Sequence, residues 1–227
     1  MYKIIASFCL LSFSVNLLFA QQQKIEEKTF AWNNGRSAKL NLKFASDIKV
    51  SSWDKPELQL KTIITYEKEA HLKIHKMEIQ EMGSQLIIET DYEKSFFKTK
   101  KYTCWSCDEE DQKRGDDCTC FKLAFEIMMP RGADLALETI AGNIELKNIK
   151  GPVKAKSISG FIDLGMEESL ASNLYFKSVT GEIYTDFDIE LDKSSNAYNK
   201  RLTTALNGGG AAIDLETVSG DIFFRKK

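Results

Sequence analysis

Proline and histidine are scarce in this chain, at three and two of 227 residues. Two histidines leave few candidate general bases. No Ser-His-Asp set, phosphate-binding loop, dinucleotide fingerprint or glycosidase-like carboxylate pair is identifiable. No basic excess exists either: 31 Lys and Arg face 33 Asp and Glu. That balance excludes a general nucleic-acid footprint. Helical periodicity is hard to find, and no apolar run of spanning length follows residue 20. These absences point to a non-enzymatic protein with no cofactor and no transmembrane span in its mature part.

The N-terminus is of a different kind. Lys3 precedes the nearly unbroken apolar run Ile4 to Ala20, and Leu-Phe-Ala stands before Gln21. This is the layout of a secretory signal peptide cleaved after Ala20, so residues 1–20 are expected to be absent from the mature chain. A retained anchor is the competing reading, but 17 residues interrupted by Ser7, Ser12, Ser14 and Asn16 are short for a span of about 20. The compartment expected is secreted: periplasm or cell surface.

What remains alternates apolar and polar residues. "AKLNLKFASDIKV", "ELQLKTIITY", "LKIHKMEI", "SQLIIETDY" and "KLAFEIMMP" read as half-buried strands. A soft boundary falls at Pro130. Residues 21–130 form an irregular N-terminal β region, and residues 131–227 a repeat array.

The array contains four similar segments, "LETIAGNIEL", "AKSISGFIDL", "FKSVTGEIYT" and "LETVSGDIFF", centred on Gly142, Gly160, Gly181 and Gly220. Ile144, Ile162, Ile183 and Ile222 stand two residues after each glycine. With the positions seven, five and two before and four after, 19 of 20 sites are apolar. Positions seven, five and three before share one strand face. Because the position two before (Ile140, Ile158, Val179, Val218) is also apolar, the phase is expected to slip at a corner. The hydroxyl residues Thr139, Ser157, Ser178 and Thr217 mark that corner and can bond a neighbouring coil. The charged residues Glu138, Lys156, Lys177 and Glu216 should face water. Each glycine has a backbone cause, either a positive φ or a wall too close for a Cβ. Coils of about 20 residues cannot bury an apolar face alone, so stacking about 4.8 Å apart is expected. The fold expected is all-β, a β-solenoid or β-helix-like stack, with a hairpin sandwich as the rival.

"MPRGADLALETIAGNIELKNIKGPVKAKSISGFIDL" and the ending "LNGGGAAIDLETVSGDIFFRKK" resemble the putative-adhesin, β-strand-repeat family of bacterial envelope proteins, and "VSSWDKPELQL" is similar to its N-terminal segment. The resemblance covers roughly residues 40–227. It implies a secreted β-helical fold and supplies no catalytic residues.

The mature chain's four cysteines, Cys104, Cys107, Cys118 and Cys120, sit within 17 residues. Two disulfides suit an oxidising compartment. Of the three possible pairings, the nested one (Cys104 with Cys120, Cys107 with Cys118) suits a hairpin. A four-thiolate zinc site and a redox-active pair are the alternatives. The acidic run from Asp108 to Asp117, "FFKTKKY" and "DKSSNAYNKR" read as solvated loop, amphipathic strand and coil excursion. His71, Lys73 and His75 would share one strand face. The function expected is a binding, adhesin-like or scaffold module whose partner is a glycan or an envelope protein. A carbohydrate-active enzyme on a β-helix and a stress-linked periplasmic scaffold are the alternatives.

Overall fold

The computed structural model describes residues 21–93, 104, 105, 107, 118–189 and 199–227. Alternating sequence becomes alternating burial. In β4 (Glu57–Tyr66) and β9 (Phe121–Pro130) every second side chain is buried. The other strands are β1 (Gln22–Ala31), β2 (Ser37–Leu42), β3 (Asp47–Trp53), β5 (His75–Met82), β6 (Gln85–Tyr92), β7 (Cys104–Trp105), β8 (Cys118–Thr119), β10 (Asp134–Ala141), β11 (Asn143–Lys147), β12 (Val153–Ser159), β13 (Ile162–Met166), β14 (Ser172–Ser178), β15 (Ile183–Thr185), β16 (Lys200–Leu206), β17 (Ala211–Ser219) and β18 (Ile222–Lys226).

They form two eight-stranded mixed sheets and a two-stranded ladder. The first sheet runs β1-β4-β9-β3-β11-β13-β18-β15, the second β16-β14-β17-β12-β10-β2-β6-β5. Six strand–corner–strand units, or rungs, each give one strand to each sheet. In spatial order they are β6/β9, β2/β3, β10/β11, β12/β13, β17/β18 and β14/β15, numbered I to VI here, and neighbours pair in parallel. Register is strict: Ile48, Ile144, Ile162, Ile222 and Ile183 are successive partners, with exposures of 0–8%. Antiparallel strands flank the rungs: β5 on β6, β4 and then β1 on β9, and β16 on β14. One apolar core joins residues on both sides of Pro130.

Three sequence expectations are corrected. A stack wound in chain order would put Gly220 beyond Gly181. Instead the last repeat lies between the second and third, so its neighbours are the rungs of Gly160 and Gly181. The N-terminal region is not irregular, for it supplies rungs I and II. In rung II the corner is one residue longer, since Leu40 and Ile48 pair with Leu137 and Ile144, and Phe44 takes a positive φ of 59° there. In rung I, 28 residues of sequence separate Tyr92 of β6 from Phe121 of β9, which hides the repeat. Finally, the inward phase does change at each corner, but after the position two before the glycine and not at it. Thr139, Ser157, Ser178 and Thr217 are the inward residues, 0–3% exposed. The strand alternation therefore turns Ile140, Ile158, Val179 and Val218 outward, and Ile158 is 44% exposed.

At the corners, each inward hydroxyl donates to a carbonyl of the preceding rung: Thr139 to Leu42, Ser157 to Gly142, Thr217 to Gly160 and Ser178 to Gly220, at 2.9–3.3 Å. Thr90 of rung I donates to Lys43 at 3.2 Å. The glycines answer to crowding, and Gly160 to a positive φ of 153° as well. A Cβ on Gly160 would lie 2.2 Å from the Gly142 oxygen, and one on Gly220 2.1 Å from the Gly160 oxygen.

Candidate binding surface

The outward turn of the position after each corner hydroxyl creates an apolar ridge. Ile140, Ile158, Val218 and Val179 belong to rungs III to VI and stand side by side at one corner. Rung spacing makes the ridge roughly 14 Å long. β-Branched residues suit an outward strand position, so their presence needs no burial. None of the four packs on the core.

Past the corner, the outer face of the first sheet carries an aromatic strip. Phe161 meets Phe223 edge-on at 5.9 Å, and Tyr184 stacks on Phe223 at 5.3 Å. Tyr184 is 51% exposed. Register places these rings together: Phe223 pairs with Asp163 on one side and Tyr184 on the other. The surrounding charges are already partnered. Arg225 makes a two-nitrogen pair with Asp163, and Lys200 lies 3.3 Å from Glu182. Sequence reading missed this surface because Phe161 stands one residue after its glycine while Phe223 and Tyr184 stand three after theirs, and because the last rung lies out of chain order.

On the outer face of the second sheet, Lys156 and Lys177 reach Glu216 from both sides at 3.4 and 3.3 Å. Burial alone would raise the Glu216 carboxyl. The Lys177 hydrogen bond and the two lysine charges outweigh it and leave the group below the usual range. On the first sheet, the hydrogen bond from Lys147 holds Glu145 low in the same way.

Elsewhere, an apolar concavity of about 490 Å³ lies at the corner of rungs I and II, lined by Phe44, Ala45, Tyr92, Phe121, Leu123 and Ala141 among others. Tyr92 stacks on Phe44 at 4.6 Å, and burial pushes its hydroxyl up to about 12. His71 and His75 do not share a strand face. His71 is buried in the 3-10 turn Glu69–Ile74, while His75 opens β5. Burial lowers His75 to about 4, opposed by the charge of Glu26. Among the described residues no group of three or more His, Cys, Asp or Glu could hold a metal ion.

The cysteines pair differently from the nested arrangement. Cys107 is bonded to Cys120, and both are buried. Cys104 and Cys118 are register partners in the parallel β7–β8 ladder, which is not a hairpin. A bonded Cys107–Cys120 pair does not supply two of the four thiolates a zinc site needs. The Gln21 side-chain amide donates to the Cys107 carbonyl, tying the start of β1 to this segment. The acidic residues 108–111, 116 and 117, "FFKTKKY" and most of "DKSSNAYNKR" lie outside the described residues.

The fold defines an all-β repeat protein of two mixed sheets, and no helix among the described residues is long and apolar enough to cross a membrane. No family model matches the chain, and no curated protein does. Among solved structures it is similar to a "putative cell adhesion protein" from Clostridium sporogenes ATCC 15579, with 13% identity, 90% of this chain and 100% of that one covered, and a TM-score of 0.47. A "putative adhesin" from Bacteroides fragilis NCTC 9343 shows 11% identity over 90% and 97% of the two chains, with a TM-score of 0.25. A "putative lipid binding protein" from Parabacteroides distasonis ATCC 8503 shows 8% identity over 89% and 96%, with a TM-score of 0.23. At these values the likenesses carry no argument about this chain.

Proposed function

We propose that this chain is a non-enzymatic binding module of the bacterial envelope, exported by residues 1–20, whose six rungs act as a short two-sheet solenoid presenting one corner to a protein partner. The adhesin-like names of the similar structures agree with this reading. The observation that carries it is the outward ridge of Ile140, Ile158, Val218 and Val179 together with the packed rings of Phe161, Phe223 and Tyr184 on the same rungs. Half-buried apolar and aromatic side chains, exposed at Ile158 and Tyr184 and with few free charges around them, have the composition of an interface centre. An aliphatic ridge favours a protein over a glycan, because it offers no donor or acceptor to sugar hydroxyls. The flanking Asp163, Arg225, Glu182 and Lys200 are paired with one another and leave no excess charge for a polyanion.

The test is binding of the mature chain to immobilised cell-surface material, before and after protease or glycosidase treatment. Binding that is lost on protease treatment and lost in Ile158→Asp and Tyr184→Asp, with unchanged melting curves, is the expected result. Binding untouched by both substitutions overturns the reading. Loss on glycosidase treatment alone replaces the protein partner with a glycan.

A further inference from the structure

Rung V, residues 211–226, is the last of the six to be synthesised, yet it lies between two earlier ones. Its strand β17 pairs with β12 and β14, and β18 pairs with β13 and β15. Without it, rungs IV and VI leave a gap one strand wide in both sheets. The far side of β14 is already taken by β16, so the last rung enters a slot with two walls and does not add to an open edge.

The slot has a distinct chemistry. Its outer rim in the second sheet carries Lys154 and Lys156 on one wall and Lys177 on the other. The incoming strand brings Asp214 and Glu216, which lie 3.3–3.7 Å from those three lysines. In the first sheet the sign reverses, with Asp163 on the wall and Arg225 incoming. Inside, Thr217 donates to Gly160 and Ser178 donates to Gly220. No other repeat offers this set: rung III has Ala136 and Glu138 in the two outer places, and rung VI has Tyr175 and Lys177. The slot therefore selects the rung V sequence by charge.

The loop 207–210, held by the Asn207 side-chain amide donating to the Glu168 and Leu170 carbonyls, is the single covalent connection of that rung to the preceding chain. Asn207, Gly208 and Gly209 have φ of 50°, 87° and 82°, a left-handed run that glycine tolerates and that can reopen to an extended path. We infer that rung V is an exchangeable element, and that the partner fitting the slot is the same rung from a second copy of this chain. Reciprocal exchange keeps every contact of the rung, so concentration and the loop decide between monomer and exchanged dimer. Crowding of copies at a surface favours the dimer.

Two full-length chains test this, one carrying Lys156→Cys and the other Glu216→Cys. These positions are register partners. Neither chain carries both added cysteines, so a covalent heterodimer in excess of collisional background reports rung V of one copy in the slot of the other. A mixture of Glu138→Cys and Lys156→Cys chains, which reports rungs III and IV, is the control. The expected result is a heterodimer in clear excess over the control, increasing with incubation concentration, from chains that melt like the parent. Equal yields overturn the proposal. A second variant lacking Gly208 and Gly209 is expected to shift toward dimer on size exclusion, because a shortened hinge loop disfavours closure within one chain. A chain so shortened that stays monomeric across the concentration range also contradicts exchange.

Discussion

Thr217 donates its hydroxyl proton to the carbonyl of Gly160 at 3.3 Å, across 57 residues of sequence. The bond is possible because the last rung turns its corner directly against the corner of rung IV. The same geometry brings the Gly220 backbone so near the Gly160 oxygen that a Cβ has no room. Hydroxyl and glycine thus act together: one fills the inside of the corner with a hydrogen bond, and the other lets the next backbone approach.

Gly160→Ala and Gly220→Ala should each destabilise the chain by about 1–3 kcal/mol, the usual cost of overpacking a close-fitting site. Gly132→Ala is the control, since nothing lies within 4 Å of its added Cβ. Denaturant midpoints of the three variants check this, and equal effects would contradict the crowding account.

The outward charges of the second sheet should specify rung order. In space they run Glu138, Lys156, Glu216, Lys177, alternating in sign, whereas chain order would place Lys156 beside Lys177. Glu216→Lys should cost about 1 kcal/mol, in line with partly exposed ion pairs and cross-strand like charges. The triple exchange Lys156→Glu, Glu216→Lys, Lys177→Glu restores the local Lys–Glu pairing and should recover much of the loss in a chemical melt.

His75 makes the fold sensitive to acid. Its folded pKa, about 4, is depressed below the ordinary value of 6.5. Between those values the unfolded chain binds more protons, so stability falls as pH is lowered through this window and is fully present above it. The loss is at most about 2–3 kcal/mol. Unfolding free energies from pH 7 to pH 4 should show the decline, and His75→Leu should flatten it.

Thiol chemistry checks the cysteine segment. With Cys107 bonded to Cys120, Cys104 and Cys118 are the remaining pair, and their backbones are in register. Unreduced, denatured mature chain should show no free thiol. Peptide mapping should recover 107–120 and 104–118 linkages, not the nested ones.

The regular repeats were legible because each rung in the C-terminal half repeats the same inward places, and the apolar columns follow from strand alternation. Rungs II and I escaped because their spacing departs from the repeat, one by a single residue at Phe44 and the other by the long stretch of sequence between Tyr92 and Phe121. The ridge was misread as interior because Ile and Val suit a strand surface as well as a core. β1 gave no signal at all. It is an edge strand with Lys24 and Glu26 on one face, paired at 2.7 Å, and such charges keep an edge from recruiting further strands. Rung order was hidden because similar rungs can stack in any sequence. Only the alternating charge column distinguishes the orders, and it is informative only once the rungs are known to be parallel.

The direct test of that order is a pair of chains, each with two added cysteines, closed under mild oxidation. Lys156→Cys with Glu216→Cys should form an internal crosslink, because the two are register partners, while Lys156→Cys with Lys177→Cys should not, because a whole rung lies between them. Closure of the second pair and not the first would mean that the repeats stack in chain order and would contradict the placement of the last rung.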